Sequence, residues 1–300
     1  MLAIPALRAA RRRWPDEALA VAAQPRIGRL LTALEVVDRF VDFDALGLAA
    51  LFEEPDRIEG ESEWPERCAA DLREGGHLVS WFGSRESHFA RRVRALVPEA
   101  VVAPSVGSDD QEVWRHLLST VGAAPDRVMR APILAGQMLV AEARLVLQRL
   151  GWDGHARLLV VHPGAGSRGK LWATEGFAAV LERLARRQSR LAVVVHRGPA
   201  DSEAVAALSA ALGRPAMVLE EPDLTVLAGV LSVAAAYIGN DSGISHLAAA
   251  LGAPSIVLFT AERIIWRPWA EHVEPQIVSM PTPREADVRR AVESLQTFLR

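Results

Sequence analysis

The second half of the chain alternates continuous apolar runs with segments of helical period. Arg157–His162 (RLLVVH) is apolar almost throughout and stops at Pro163, and Thr174–Arg187 repeats its apolar positions at helical spacing behind Thr174 as a cap. The apolar run Leu191–His196 comes next, then a helical segment Asp201–Leu212, a short strand Ala216–Leu219 and a helix Asp223–Ser232 capped by Asp223. A strand Ala235–Gly239, a helix Ser242–Leu251 and a strand Ser255–Phe259 (SIVLF) complete the series. Strands apolar on both faces must be covered on both faces, and intervening helices supply right-handed crossovers between parallel neighbours. The pattern predicts an α/β fold with a parallel sheet. The longest apolar stretch, Leu224–Ile238, changes period from helical LTVLAGVLS to strand-like AAAYIG. It falls short of the roughly 20 residues that a membrane-spanning helix needs.

The first half is less regular. Leu2–Arg13 reads as a helix stopped by Pro15, with an apolar face of Leu2, Ala6, Leu7 and Ala10. Strands are predicted at Ala18–Ala23, His77–Phe82 and Val101–Ala103, and helices at Glu86–Leu96 and Gln111–Val121. Ala123–Gly136, with Pro125 and Pro132, has the composition of a linker and leads into a helix at Gln137–Leu150. A last helix, Glu285–Leu299, follows a loop containing Pro281 and Pro283. These breaks divide the chain into an N-terminal domain (1–123), a linker with a connecting helix (124–151), a C-terminal domain (152–280) and a terminal helix (281–300).

Composition narrows the classes. A chain of 300 residues that is 50% hydrophobic has apolar material for two cores. A net charge of −3 provides no global field for nucleic acid or a membrane. The single cysteine, Cys68, excludes an internal disulfide and a Cys-based zinc site, which fits a reducing cytoplasm. The N-terminal MLAIPALRAARRRWP places its charges after its apolar residues, the reverse of a secretory signal. Arg8, Arg11, Arg12 and Arg13 make a basic helix end, read either as a solvated face or as a contact for an acidic acceptor.

Two loops carry candidate chemistry. HPGAGSRGKLW (His162–Trp172) follows a strand and precedes a helix, at the sheet edge where α/β proteins bind ligands. Gly164, Gly166 and Gly169 let backbone amides approach an anion, Ser167 adds a hydroxyl and Lys170 a point charge suited to phosphate. The spacing is not that of a Walker A loop, and an ordinary glycine-rich turn remains the alternative. GNDSGISHLAAALG (Gly239–Gly252) runs from a strand directly into a helix that Asp241 or Ser242 can cap, so free amides and the helix dipole form an anion site. Gly243 leaves room for phosphate on the backbone, and His246 lies one turn in, either facing the ligand or serving as a core histidine. Glu203, near the start of a helix, is read either as a ribose contact or as a favourable helix-start charge. Trp266 and Trp269 either line a cleft or pack. Metal-ligand spacings of the HxxxH and CxxC types are absent, and at the N-terminus neither a GxGxxG after the first strand nor the acidic residue about 20 residues after such a motif is present, which counts against an NAD-dependent oxidoreductase.

Four stretches together resemble glycosyltransferase family 9, the ADP-heptose:lipopolysaccharide heptosyltransferases: Leu2–Asp16, His162–Val180, the distinctive Leu224–Phe259, and the WRPW turn at Trp266–Trp269. The resemblance implies a GT-B fold, two Rossmann-like domains with parallel sheets facing across a cleft. It implies an inverting, metal-independent transfer, with no cofactor, from a nucleotide-sugar such as ADP-heptose to a cell-envelope glycan or glycolipid. By the same resemblance Gly164, Gly166, Ser167, Lys170, Asp241, Ser242, Gly243 and His246 bind the donor, Glu203 binds ribose, and adenine lies against backbone near Leu219 to Leu224. The terminal helix returns to the N-terminal domain, and the protein works in the cytoplasm, where contact with the inner membrane surface is compatible with it.

The sequence departs from the family at two places. Met1 falls where the family's first loop ends, so the family's first strand and its Gly-Asp pair, whose aspartate is taken as general base, have no counterpart in the 300 residues. No base can be assigned, and an unfilled slot with unpaired strand edges is expected in the N-terminal domain. TAERII also replaces the family's Gly-Pro-Thr-like turn after SIVLF. A different nucleotide-sugar donor and a non-catalytic nucleotide-sugar-binding protein therefore stand as alternatives.

Overall fold

The computed structural model describes residues 1–53, 63–212 and 216–300. The chain forms two compact units, Leu2–Met129 and, together with Met1, Arg130–Arg300.

In the N-terminal unit the elements are α1 (Ile4–Arg13), β1 (Ala20–Ala23), α2 (Pro25–Ala33), β2 (Arg39–Asp42), α3 (Ala70–Arg73), β3 (Val79–Ser80), α4 (Ser87–Leu96), β4 (Val101–Val102) and α5 (Val113–Thr120). Helix α1 buries Ile4, Ala6, Leu7 and Ala10, the face read from its periodicity. Its basic end is engaged within the unit: Arg11 pairs with Asp38 at 3.0 Å, Arg12 with Asp126 at 2.8 Å, and Arg13 donates to the Val121 carbonyl at 3.3 Å.

The unit's four strands among the described residues do not join. β1 pairs with β2 and β3 with β4, each pair parallel, as two separate two-stranded sheets. A cavity of about 430 Å³ lies against both pairs, lined among others by Ala6 and Ala10 of α1, Val21 of β1, Val79 of β3 and Phe89 of α4. The cavity lies beside the apolar face of α1. The strand β2 and the helix α2 are not evident in the sequence pattern.

The C-terminal unit contains α6 (Gln137–Arg149), β5 (Arg157–His162), α7 (Thr174–Ala185), β6 (Leu191–Arg197), α8 (Ser202–Leu212), β7 (Met217–Glu220), α9 (Leu224–Ser232), β8 (Ala236–Asn240), α10 (Gly243–Ala250), β9 (Ser255–Phe259), β10 (Val273–Ile277) and α11 (Glu285–Phe298). Among the described residues its six strands are all parallel in the order β10-β9-β8-β5-β6-β7. The chain winds outward from β5 through β6 to β7, then returns to the other side of β5 with β8. The order thus reverses between β5 and β8, as in a Rossmann-type sheet. Strands β5, β8 and β9 are buried along almost their whole length, as their unbroken apolar runs require.

Two expectations about domain limits are corrected. The segment read as a linker belongs to the C-terminal unit from Arg130 onward. Ile133 N donates to the Ala250 carbonyl at 2.7 Å, and α6 packs on α9 so closely that a Cβ at Gly229 would sit 2.2 Å from the Leu139 carbonyl oxygen. Helix α11 does not go to the N-terminal unit. Its stripe of Val288, Ala291, Val292, Leu295 and Leu299 enters the core formed by Leu159 and Val161 of β5 and Phe177, Val180 and Leu184 of α7. Arg183 of α7 grips the Glu285 carboxylate with two hydrogen bonds of 2.7 Å. Stripe and partner face belong to the same core, so the helix stays beside α7.

Candidate functional site

The reversal of strand order sets the site's position. His162, the last residue of β5, is in register with Gly239 of β8, so the two loops singled out in the sequence leave the sheet side by side. In open α/β sheets the crevice at such a switch point is where ligands sit. Asn240 latches the two loops together. It is fully buried; its Oδ1 accepts from Trp172 N at 3.1 Å and its Nδ2 donates to the Pro163 carbonyl at 2.8 Å. Sequence reasoning missed this role, although a polar residue closing a fully apolar strand was its signal.

Ser242, rather than Asp241, caps α10: its Oγ accepts from Ser245 N at 3.3 Å. Ser245 Oγ in turn donates to the Asn240 carbonyl at 2.5 Å and meets the Tyr237 hydroxyl at 2.8 Å, which fixes the turn into the helix. A Cβ at Gly243 would meet nothing within 4 Å, and the same holds for Gly166 and Gly169, so the backbone there is open to a ligand. Gly164 differs. A Cβ there would lie 2.0 Å from Asp201 Oδ1, so this glycine makes room for a buried carboxylate.

Asp241 is the electrostatic hub. It is only 4% exposed, and three basic side chains converge on it. Lys170 Nζ lies 2.8 Å and Arg263 Nε 3.4 Å from Oδ2, and His246 Nε2 lies 3.7 Å from Oδ1, beyond hydrogen-bond length. Burial raises the Asp241 pKa, but His246 and Lys170 more than offset it and hold the carboxyl below the usual carboxylate value. Burial dominates at His246 and lowers its pKa, so it is neutral at pH 7 despite Asp241. Two fixed cations against one carboxylate leave an excess positive charge beside the free amides of α10. Arg263, on the turn Ala261–Trp266, also lies 4.8 Å over the Trp266 ring. It was not identified from the sequence, where TAERII stood out only as a departure.

The structure therefore brings together Lys170, Asp241, Ser242, Gly243 and His246, and the loop carrying Gly166 and Ser167 leads into Lys170, whose amide donates to the Ser167 carbonyl at 3.1 Å. Glu203 stands exposed in the first turn of α8 and makes no contact with this group among the described residues. Trp269 is buried, as packing requires.

A parallel sheet with reversed strand order and a cationic, amide-lined edge at the reversal defines a Rossmann-like α/β protein with a candidate anion site. Residues 129–295 match the model of glycosyltransferase family 9 (heptosyltransferase), more than half of the chain, and the chain belongs to that family. It is 31% identical over 158 residues to lipopolysaccharide heptosyltransferase 3 of Escherichia coli K12; the match covers 48% of this chain and 43% of that relative, so it spans less than half the relative's length. Two solved structures share the fold. One is the E. coli ADP-heptose lipopolysaccharide heptosyltransferase II, with a TM-score of 0.70 and 16% identity over 100% of this chain and 94% of that one. The other is a family 9 glycosyltransferase from Veillonella parvula, with a TM-score of 0.74 and 16% identity over 99% and 92%. These likenesses show the fold, of the GT-B class. No helix among the described residues is long and apolar enough to cross a membrane.

Proposed function

We propose that the protein is an inverting glycosyltransferase that moves heptose from ADP-heptose to a lipopolysaccharide-type glycan acceptor, acting in the cytoplasm and meeting its glycolipid at the inner membrane surface. The observation that carries this reading is the convergence of Lys170 and Arg263 on buried Asp241 beside the open amino end of α10. The donor and acceptor class are carried over from the protein's relatives, lipopolysaccharide heptosyltransferase 3 and the ADP-heptose lipopolysaccharide heptosyltransferase II.

The chemistry follows from charge. Departure of a nucleoside diphosphate builds negative charge on the leaving oxygens, and preorganised cations and amides lower the barrier by stabilising it. Lys170, Arg263 and the amides at Gly243 and Ile244 would receive the diphosphate, and Ser242 and His246 would flank it. Two fixed positive charges do the work that a divalent ion does in other transferases, so this reading requires no metal at the diphosphate. Adenine would lie along the backbone after β7, near Leu219 to Leu224, with Glu203 towards the ribose. The group that removes the acceptor proton is not among the assigned residues.

Calorimetric titration with ADP tests the reading. Tight, salt-sensitive binding that is weakened by Lys170→Ala is expected, together with heptose transfer to a heptose-deficient lipopolysaccharide acceptor. Failure of ADP to bind would overturn the donor assignment, whatever the acceptor.

A further inference from the structure

A second group of polar side chains lies at the same end of the sheet, distinct from the Asp241 hub. His162 closes β5, His196 lies near the end of β6, and Asp201 immediately precedes α8. All three are buried, at 3%, 3% and 9% exposure. The two imidazoles face each other through their Nδ1 atoms at 3.1 Å, and His162 Nδ1 lies 3.9 Å from Asp201 Oδ2. One ligand atom from each of the three lies within 4.8 Å of the others.

We propose that His162, His196 and Asp201 form a binding site for one divalent transition-metal ion of the zinc type, with three protein ligands and a fourth position left to solvent. Imidazole nitrogen and carboxylate oxygen are the donors such ions take, and two histidines with one acid are a recurrent set. The separations of 3.1 and 3.9 Å fit within the roughly 4 Å spanned by two metal–ligand bonds of about 2.0–2.1 Å, and the third pair, within 4.8 Å, needs only a small side-chain closure to join them.

Asp201 is buried beside the two rings, and its carboxylate lies 3.9 Å from His162 and accepts a 2.9 Å hydrogen bond donated by Gly198 N.

The backbone is shaped around the same group. A Cβ at Gly164 would fall 2.0 Å from Asp201 Oδ1 and one at Gly198 2.8 Å from Oδ2, so both glycine turns close directly over the carboxylate. A bound ion would tie β5, β6 and the start of α8 together beneath the loop that carries Lys170. This proposal does not depend on the donor site, which lies on Asp241.

The test uses the whole protein, stripped by a chelator and titrated with Co²⁺ as a spectroscopic substitute for Zn²⁺. About one equivalent should bind with the strong visible bands of a four-coordinate site, and Zn²⁺ should displace it. His196→Gln and Asp201→Asn should each weaken Co²⁺ binding by at least about 100-fold, the upper end of what a change behind the ligands costs. Asp241→Asn, at the other histidine–aspartate pair, should leave Co²⁺ affinity unchanged. In the native protein, Zn²⁺ should shift the ¹⁵N resonances of the His162 and His196 rings, a readout that needs no variant to fold. Absence of the cobalt bands, unchanged affinity in folded His196→Gln and Asp201→Asn proteins, or ring resonances indifferent to Zn²⁺ would each overturn the proposal.

Discussion

Lys170 Nζ lies 2.8 Å from Asp241 Oδ2, joining the loop after β5 to the loop after β8 across the point where the strand order reverses. The lysine is 24% exposed and the aspartate side chain 5%, so the acid is an anchor and the cation is the end a ligand can reach. An arriving diphosphate would exchange places with a carboxylate that already holds both cations in position.

Lys170→Ala and Arg263→Ala should therefore each weaken ADP binding by roughly ten- to a hundredfold, the value of a charge-assisted contact of about 1.5–3 kcal/mol. AMP, which lacks the second phosphate, should lose less in both variants. Titration calorimetry at two salt concentrations decides this. Equal losses for ADP and AMP would place these cations elsewhere on the nucleotide.

Asp241 also makes a prediction about acid. Its folded pKa lies below the ordinary value of 3.8, so its ion pairs contribute stability that is fully present above that value. The contribution is lost as pH falls through the depressed folded pKa. Asp241→Asn should thus destabilise the protein at pH 7, by roughly 1–3 kcal/mol, and the gap to the unmodified protein should close only below about pH 4. Urea unfolding across this range measures it. A gap that closes between pH 5 and 7 would implicate a histidine instead.

What the sequence reveals, and what it hides, divides along physical lines. β5, β6, β8 and β9 are legible because strands buried on both faces leave unbroken apolar runs, and the helices between them keep their period. β10 reads poorly because VEPQI is a half-buried edge strand, where Pro275 is tolerated but breaks the pattern. β2 (RFVD) has no apolar run at all. Lys170, Ser242 and Gly243 announce themselves through local motif chemistry. Arg263, Asn240 and Asp201 do not, because their roles exist only once distant loops meet. The destination of α11 was equally invisible, since its apolar stripe does not name the surface it covers.

Gly229 gives a packing prediction. Helices α6 and α9 cross where a Cβ would stand 2.2 Å from the Leu139 carbonyl oxygen and 2.7 Å from the Ala143 Cβ. The nearest atom is backbone and cannot swing aside. Gly229→Ala should cost about 1–3 kcal/mol despite alanine's better helix propensity. Thermal unfolding should show a clear drop in Tm; a rise would mean that α6 can move off α9 freely.

The N-terminal unit makes the last prediction. β1 and β3 each have one partner, β2 and β4, and an apolar cavity of about 430 Å³ lies against both. A strand placed parallel between them could hydrogen-bond on both edges and bury side chains against Ala6, Ala10 and Phe89, which line the cavity. Burying two aliphatic side chains there should contribute about 3–6 kcal/mol. For a unit of this size that corresponds to a Tm increase on the order of 10 °C. The experiment fuses a segment of about five apolar residues, followed by a short Gly-Asp loop, ahead of Met1. A control carries lysine and glutamate at the same positions. Hydrogen exchange should show β1 and β3 amides newly protected with the apolar extension and not with the polar one. Equal protection, or none, would show that the two pairs form separate sheets by design and that the cavity is not a strand's seat.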